Sequence, residues 1–99
     1  MLRKNWWCAT AVYKAVHVGK TRRRNLWEQI VFLLRAATEE EAQLQAYELA
    51  KRKEHSYLAV AGDTVHWQLV EITELKKLLD QKLQVGTEVH WKFFERIDK

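Results

Sequence analysis

Residues 36–53 constrain the fold most, because they carry the pattern of one amphipathic helix. Thr38 followed by Glu41 predicts a capping box, in which the threonine hydroxyl accepts an early helix amide and the glutamate reaches back. Projected at 100° per residue, one side of the helix consists of Ala42, Ala46, Leu49 and Ala50. A side made mostly of alanine predicts a neighbouring surface that comes close and supplies the bulk of the core itself.

The segments around this helix have the composition and alternation of β-strands. Five strands are predicted, over residues 6–18, 26–36, 56–61, 64–72 and 88–96. The leucine spacing in 73–81 is helical, so a short helix or turn is expected there. The predicted fold class is therefore α+β in the order ββαβββ: a single domain, 1–99, whose antiparallel sheet of four to five strands carries one main helix on one face.

A two-residue turn at Gly62-Asp63 predicts how the third and fourth strands pair. In that register Leu58 lies opposite Trp67, and the face towards the helix includes Leu58, Val60, Val65, Trp67 and Leu69. The five tryptophans of the chain are expected to fill the space above the alanines. The predicted structural core contains Trp7, Phe32, Ala42, Ala46, Leu49, Trp67 and Trp91.

Cysteine usage and the N-terminal sequence point to a cytoplasmic protein. Cys8 is the only cysteine, so no intrachain disulfide can form, and a buried, inert thiol is expected. Neither an apolar signal core nor a run long enough to span a membrane is visible, so no membrane association is expected.

The net charge of +4 is unevenly distributed. Residues 1–24 carry seven basic side chains and no acidic one, and four of the seven are Lys20, Arg22, Arg23 and Arg24. This cluster falls in the predicted loop between the first two strands. It is either an ordinary solvated loop or a binding site for a nucleic-acid backbone or an acidic partner.

Several short motifs, in their order along the chain, resemble one protein family. They are Trp-Trp-Cys-Ala at 6–9, Leu-Trp-Glu-Gln-Ile-Val-Phe-Leu-Leu-Arg-Ala at 26–36, Thr-Glu-Glu-Glu-Ala at 38–42, Val-His-Trp-Gln-Leu at 65–69 and Gly-Thr-Glu-Val at 86–89. Together they resemble the bacterial domain-of-unknown-function family 4288. The matching positions are Trp6, Trp7, Glu28, Ala36, Ala42, Trp67, Gly86 and Glu88. The resemblance implies a small single-domain protein without established activity, so it assigns no catalytic or ligand residue.

Residue patterns that carry chemistry are scarce. The sequence has no glycine-rich phosphate loop, paired-cysteine motif, His-Glu-x-x-His or nucleophile elbow. No cofactor and no catalytic residue are predicted. His66 and His90 are weak candidates for a shared metal ion if their strands are neighbours, and a metal-dependent enzyme is therefore one alternative.

The first two strands are apolar on both faces, and one helix can cover only one of them. A homodimer would cover the other face, as would the 73–85 connector folding back over it. We therefore expect a non-catalytic protein-interaction domain that binds itself or another protein. The other alternative is a nucleic-acid-binding module that combines the basic loop with sheet aromatics such as Trp6, Trp27 and Tyr57.

Overall fold

A computed structural model describes residues 3–18, 26–58, 62–79, 81–90 and 92. Its elements, in chain order, are β1 (Asn5–Val18), β2 (Trp27–Ala36), α1 (Glu39–Arg52), β3 (His55–Leu58) and β4 (Thr64–Lys77). The strands form one antiparallel sheet in the order β2-β1-β4-β3. The α+β class is confirmed, with four strands rather than five in the part of the chain that the structure describes.

The helix begins and packs as its sequence predicts. The Thr38 hydroxyl accepts from the Glu41 backbone N–H at 3.2 Å, and the Glu41 carboxylate accepts from the Ala37 N–H. The three fully buried residues of α1 are Ala42, Ala46 and Ala50. As the one helix in the described ranges, α1 is neither long nor apolar enough to cross a lipid bilayer.

Alanine also lines β1 at the contact with α1, so the helix and the central strand approach closely. Ala9 packs in one cluster with Ala42 and Ala46, and Ala11 packs in another with Ala50. The bulk around the two clusters comes mainly from Trp7, Tyr13, Phe32, Leu34, Trp67 and Ile72. We call this side of the sheet the inner face.

Two buried aromatic side chains on the inner face also satisfy main-chain carbonyl groups. The indole N–H of Trp7 donates to the Ala36 carbonyl at 3.0 Å, and the Tyr13 hydroxyl donates to the Ala50 carbonyl at 2.7 Å. The Ala50 carbonyl also accepts from the Lys53 N–H at 3.1 Å, so Tyr13 is its second donor at the end of α1. Each aromatic ring therefore fills space and satisfies its own polar group within the core.

The predicted helix or turn over 73–81 is wrong, because β4 continues to Lys77. Two β-bulges interrupt its pairing with β1 and add one residue each, Val70 and Thr73. Alternate residues of β1 consequently face residues of β4 that are three apart, namely Leu69, Ile72 and Leu75. Because of the two bulges, the apolar residues of β4 recur every three positions, a spacing that is typical of a helix.

The register predicted for β3 and β4 is also wrong. Thr64 pairs with Leu58, and Trp67 pairs with His55, three residues away from the predicted partner. The five residues 59–63, rather than two, separate the paired ends, and the positive φ of 91° at Gly62 lies within them. An odd shift moves Leu58 to the face opposite Trp67, where it is exposed. Val60 lies outside the described residues.

The predicted strand over 88–96 is not found in its described part, since residues 88–90 and 92 are not in a strand. Trp91 and residues 93–96 lie outside the described ranges. After β4 the chain turns back towards the sheet. Leu78 is buried and its N–H donates to the Trp6 carbonyl at 2.9 Å, and His90 Nδ1 lies 3.3 Å from a Glu74 carboxylate oxygen.

Candidate functional site

The outer face, the side of the sheet away from α1, carries the features most relevant to function. The pairing of β1 with β2 places one set of residues on it: Trp6, Cys8, Thr10, Val12 and Lys14 from β1, and Trp27, Gln29, Val31, Leu33 and Arg35 from β2. Glu74 and Lys76 of β4 lie beside Thr10 and Cys8 on the same face.

One half of the outer face is shielded from solvent, since Cys8 and Thr10 are almost fully buried. The segment after β4 returns to this half at His90, whose Nδ1 lies 3.3 Å from a Glu74 carboxylate oxygen. Glu74 also lies 3.7 Å from Lys76 Nζ on its own strand. Of the 73–85 connector that was expected to fold over this face, residues 73–77 belong to β4 instead.

Burial keeps the thiol of Cys8 protonated. Desolvation raises its pKa, with a smaller upward contribution from Glu74, and the positive charge of Lys76 opposes this rise. A buried thiol with a raised pKa is a poor nucleophile and a poor metal ligand. Cys8 accordingly serves as a small core residue.

The other half of the outer face exposes apolar side chains along β2. Trp27, Val31 and Leu33 are exposed by 55%, 48% and 38% of their surfaces. They alternate with inward-facing residues on a strand at the edge of the sheet. We call these three residues the β2 strip. Edge strands of monomeric proteins usually carry charges at such positions, so an apolar edge strand marks a surface suited to contact.

A cation lies over a tryptophan ring at each end of the β2 strip. Lys14 Nζ is 5.6 Å from the ring centroid of Trp27, and the Arg35 guanidinium is 5.2 Å from that of Trp6. Each pair consists of directly opposed residues of β1 and β2. Such contacts hold the side chains in position and add modest stability at an exposed site. The strip is therefore bounded by two ordered aromatic–cation pairs.

Sequence reasoning missed these pairs because it did not derive the register of the first hairpin. A hairpin symmetrical about residues 19–25 would pair Lys14 with Ile30, whereas the observed pairs are Lys14 with Trp27 and Trp6 with Arg35. The basic residues themselves, Lys20, Arg22, Arg23 and Arg24, lie outside the described residues. Their described neighbours, Val18 and Leu26, are exposed at the hairpin end beside Trp27.

The two histidines proposed as weak metal ligands are far apart. His66 Nδ1 lies 2.6 Å from the Ser56 hydroxyl, whereas His90 contacts Glu74. His66 and Glu74 are eight residues apart on β4, or roughly 25 Å along an extended strand. The described part of the chain contains no group of three His, Cys, Asp or Glu side chains arranged for a metal ion.

The residues predicted for the structural core lie on the inner face wherever the structure describes them. Trp7, Ala42 and Ala46 are buried, and Phe32, Leu49 and Trp67 are partly buried against them or against Ala50. Trp91 lies outside the described residues. Tryptophan is therefore divided between the faces, because Trp6 and Trp27 lie on the outer one.

Comparison with known proteins agrees with the sequence motifs. No curated protein matches the chain, and no solved structure matches it. A family model described as a domain of unknown function, DUF4288, matches residues 6–91. The match spans β1 to β4 and the connector that returns to Glu74. The chain therefore belongs to the DUF4288 family of domains of unknown function.

Proposed function

We propose that this chain is a non-catalytic protein-interaction domain, and that two copies associate through the outer face. The observation that carries the proposal is the exposed β2 strip of Trp27, Val31 and Leu33. Removing such side chains from water contributes about 25 cal/mol per Å² of apolar surface. A second copy is the simplest occupant, because twofold symmetry lets one apolar strip cover another.

The burial of Cys8 fits a reducing compartment, and we place the protein in the cytoplasm as part of the proposal. In that setting the thiol needs no partner. The domain would then act by presenting surfaces, one of which joins it to its own copy.

Sedimentation velocity across the micromolar range tests the homodimer. We expect the wild-type chain to sediment as a dimer and the Leu33→Glu variant as a monomer, because a charge on the strip would lose its hydration in the interface. The matched control is Leu44→Glu, which places the same charge on the exposed outer side of α1 and should leave the dimer intact. A monomeric wild-type chain, or equal behaviour of the two variants, would contradict the proposal.

A nucleic-acid-binding module is the second candidate. It is favoured by Trp27, which is exposed beside Lys14 and follows closely in sequence the basic segment of Lys20, Arg22, Arg23 and Arg24. Exposed aromatic rings beside cations are how many single-strand binders stack bases. Fluorescence anisotropy with a single-stranded RNA should then show binding that weakens with salt and is lost when the three arginines become glutamine. Binding that ignores salt would rule this mechanism out.

A further inference from the structure

The second candidate surface is the free edge of β4. Strand β3 pairs with β4 only over Thr64–Trp67. Just beyond this pairing, the Leu69 N–H points away from β1 and donates to the Glu54 carboxylate at 2.8 Å. The carboxylate thus takes the place of a carbonyl of a neighbouring strand. From residue 70 to residue 77, no other strand in the described ranges lies along this edge. As far as the described residues go, the backbone groups of this edge have no strand partner and could pair with an added strand.

A cavity lies between α1 and this free edge. Its volume is about 280 Å³, and it is lined by Gln43 of α1 and by Ile72, Thr73, Glu74 and Leu75 of β4. Ile72 and Leu75 face α1, whereas the Glu74 side chain lies on the outer face with Lys76 and His90. The cavity wall between the two apolar residues is therefore main chain. This arrangement offers backbone pairing and a side-chain pocket at the same place.

The helix supplies the opposite wall. Gln43 is exposed, and Glu39 and Tyr47, one turn away on either side, are exposed with it. We call the space between these residues and the free edge of β4 the edge groove. The helix wall of the groove is acidic, because Glu39 and Glu40 are exposed on this flank of α1.

The bulges decide which occupant fits. Val70 and Thr73 are the extra residues in the free part of β4, and the Thr73 hydroxyl donates to the Thr10 carbonyl at 3.4 Å. Bulges bend a strand and discourage flat edge-to-edge pairing, so a second copy of the same bent edge is a poor partner. A single extended segment can follow the bend.

We propose that the edge groove binds an extended segment of another protein, which adds to β4 as a strand. Main-chain hydrogen bonds would give the affinity, and one apolar side chain of the segment would enter the cavity above Ile72 and Leu75. Lysine or arginine residues flank that side chain in the bound segment, because they complement Glu39 and Glu40. The site is separate from the β2 strip, so it does not depend on the homodimer.

Selection from a phage-displayed library of randomised peptides against the full-length protein tests this site. We expect enriched peptides to carry an apolar residue beside lysine or arginine. The Gln43→Trp variant fills the groove from the exposed helix side. Titration calorimetry should then show that its affinity for a synthetic enriched peptide is lower by about tenfold or more. The matched control is Gln45→Trp on the other flank of α1, where the change in affinity should stay within about twofold.

Amide shifts in ¹⁵N NMR spectra locate the bound peptide independently of any substitution. The expected shifts fall on residues 70–77 and on the α1 residues around Gln43. The proposal is overturned if no peptide is enriched, if acidic peptides dominate, or if Gln43→Trp and Gln45→Trp behave alike. It is also overturned if the peptide shifts the amides of β2 instead, or if this edge proves to be paired with a second copy.

Discussion

The two faces of the sheet share the same strands but have different coverings. On the inner face, small residues of β1 and α1 meet, and Trp7, Tyr13 and Leu34 close the core around them. On the outer face, Cys8 and Thr10 are buried, whereas the β2 strip is exposed. The difference shows that apolar content alone does not identify the core. The covering element does, and for half of the outer face no described part of this chain supplies one.

The largest predicted effect compares two tryptophans on opposite faces. Trp7→Ala should lower the free energy of unfolding by about 3–5 kcal/mol, because it empties buried volume and removes the indole hydrogen bond to the Ala36 carbonyl. Trp27→Ala should change it by about 0.5 kcal/mol, since that ring is exposed on the outer face. Urea denaturation, at a concentration low enough for a monomer, measures both. Equal losses of stability in the two variants would contradict the distinction between a buried inner face and an exposed outer face.

The next effect tests how closely α1 approaches the inner face. Ala46→Leu should cost about 1–3 kcal/mol, because Ala46 is fully buried against the sheet and the added atoms have no space. The control is Gln43→Leu on the exposed flank of the same helix, which should have little effect. An unchanged melting temperature for Ala46→Leu would mean that the contact is looser than the structure indicates.

A smaller effect is expected from the hydroxyl of Tyr13. Tyr13→Phe keeps the ring but removes the donor to the Ala50 carbonyl, so a loss of about 0.5–1.5 kcal/mol is expected. Tyr57→Phe, at an exposed position, is the control. Thermal denaturation of the two variants distinguishes them. If both are neutral, the last carbonyl groups of α1 find other partners.

The smallest effect concerns Glu54, at the start of the free edge of β4. The Leu69 N–H lowers the pKa of its carboxyl, with help from Lys51, although partial burial opposes the shift. Because the pKa is lower in the folded state than in the unfolded state, the carboxylate stabilises the fold above the unfolded pKa. That contribution is lost as the pH falls through the folded pKa.

Urea denaturation as a function of pH checks this assignment. The stability difference between the wild-type chain and Glu54→Gln should be present at neutral pH and should shrink as the solution is acidified below the usual range of a glutamate pKa. Glu48→Gln, on the exposed surface of α1, is the control. A difference that is constant with pH would mean that Glu54 does not cap the edge as a carboxylate.

The local features of the fold could be predicted from the sequence, and the long-range ones could not. The capping residues and the alanine spacing identify α1, because both signals lie within one helix. The extent of β4 was missed because its bulges give Leu69, Ile72 and Leu75 a spacing of three. The register of β3 was missed because the sequence suggests a two-residue turn at Gly62 and Asp63, whereas Leu58, five residues before Asp63, is the partner of Thr64.

The candidate surfaces depend on contacts that sequence patterns do not encode. Both faces of β2 are apolar in sequence, and only the path of α1 and of the connector decides which residues stay exposed. The free edge of β4 follows from where β3 begins, because its first pair joins His55 to Trp67 and β3 does not reach residues 70–77. Neither the exposure of the β2 strip nor the free edge of β4 can be predicted from composition or periodicity.

The most direct test of the central claim is an isotope-filtered NOE spectrum of a sample that mixes labelled and unlabelled chains. If the β2 strip joins two copies, the methyl groups of Val31 and Leu33 in a labelled chain should show contacts to protons of an unlabelled chain, including the Trp27 ring. Spectra in which these methyl groups contact only their own chain would contradict the account, because the outer face would then be covered from within.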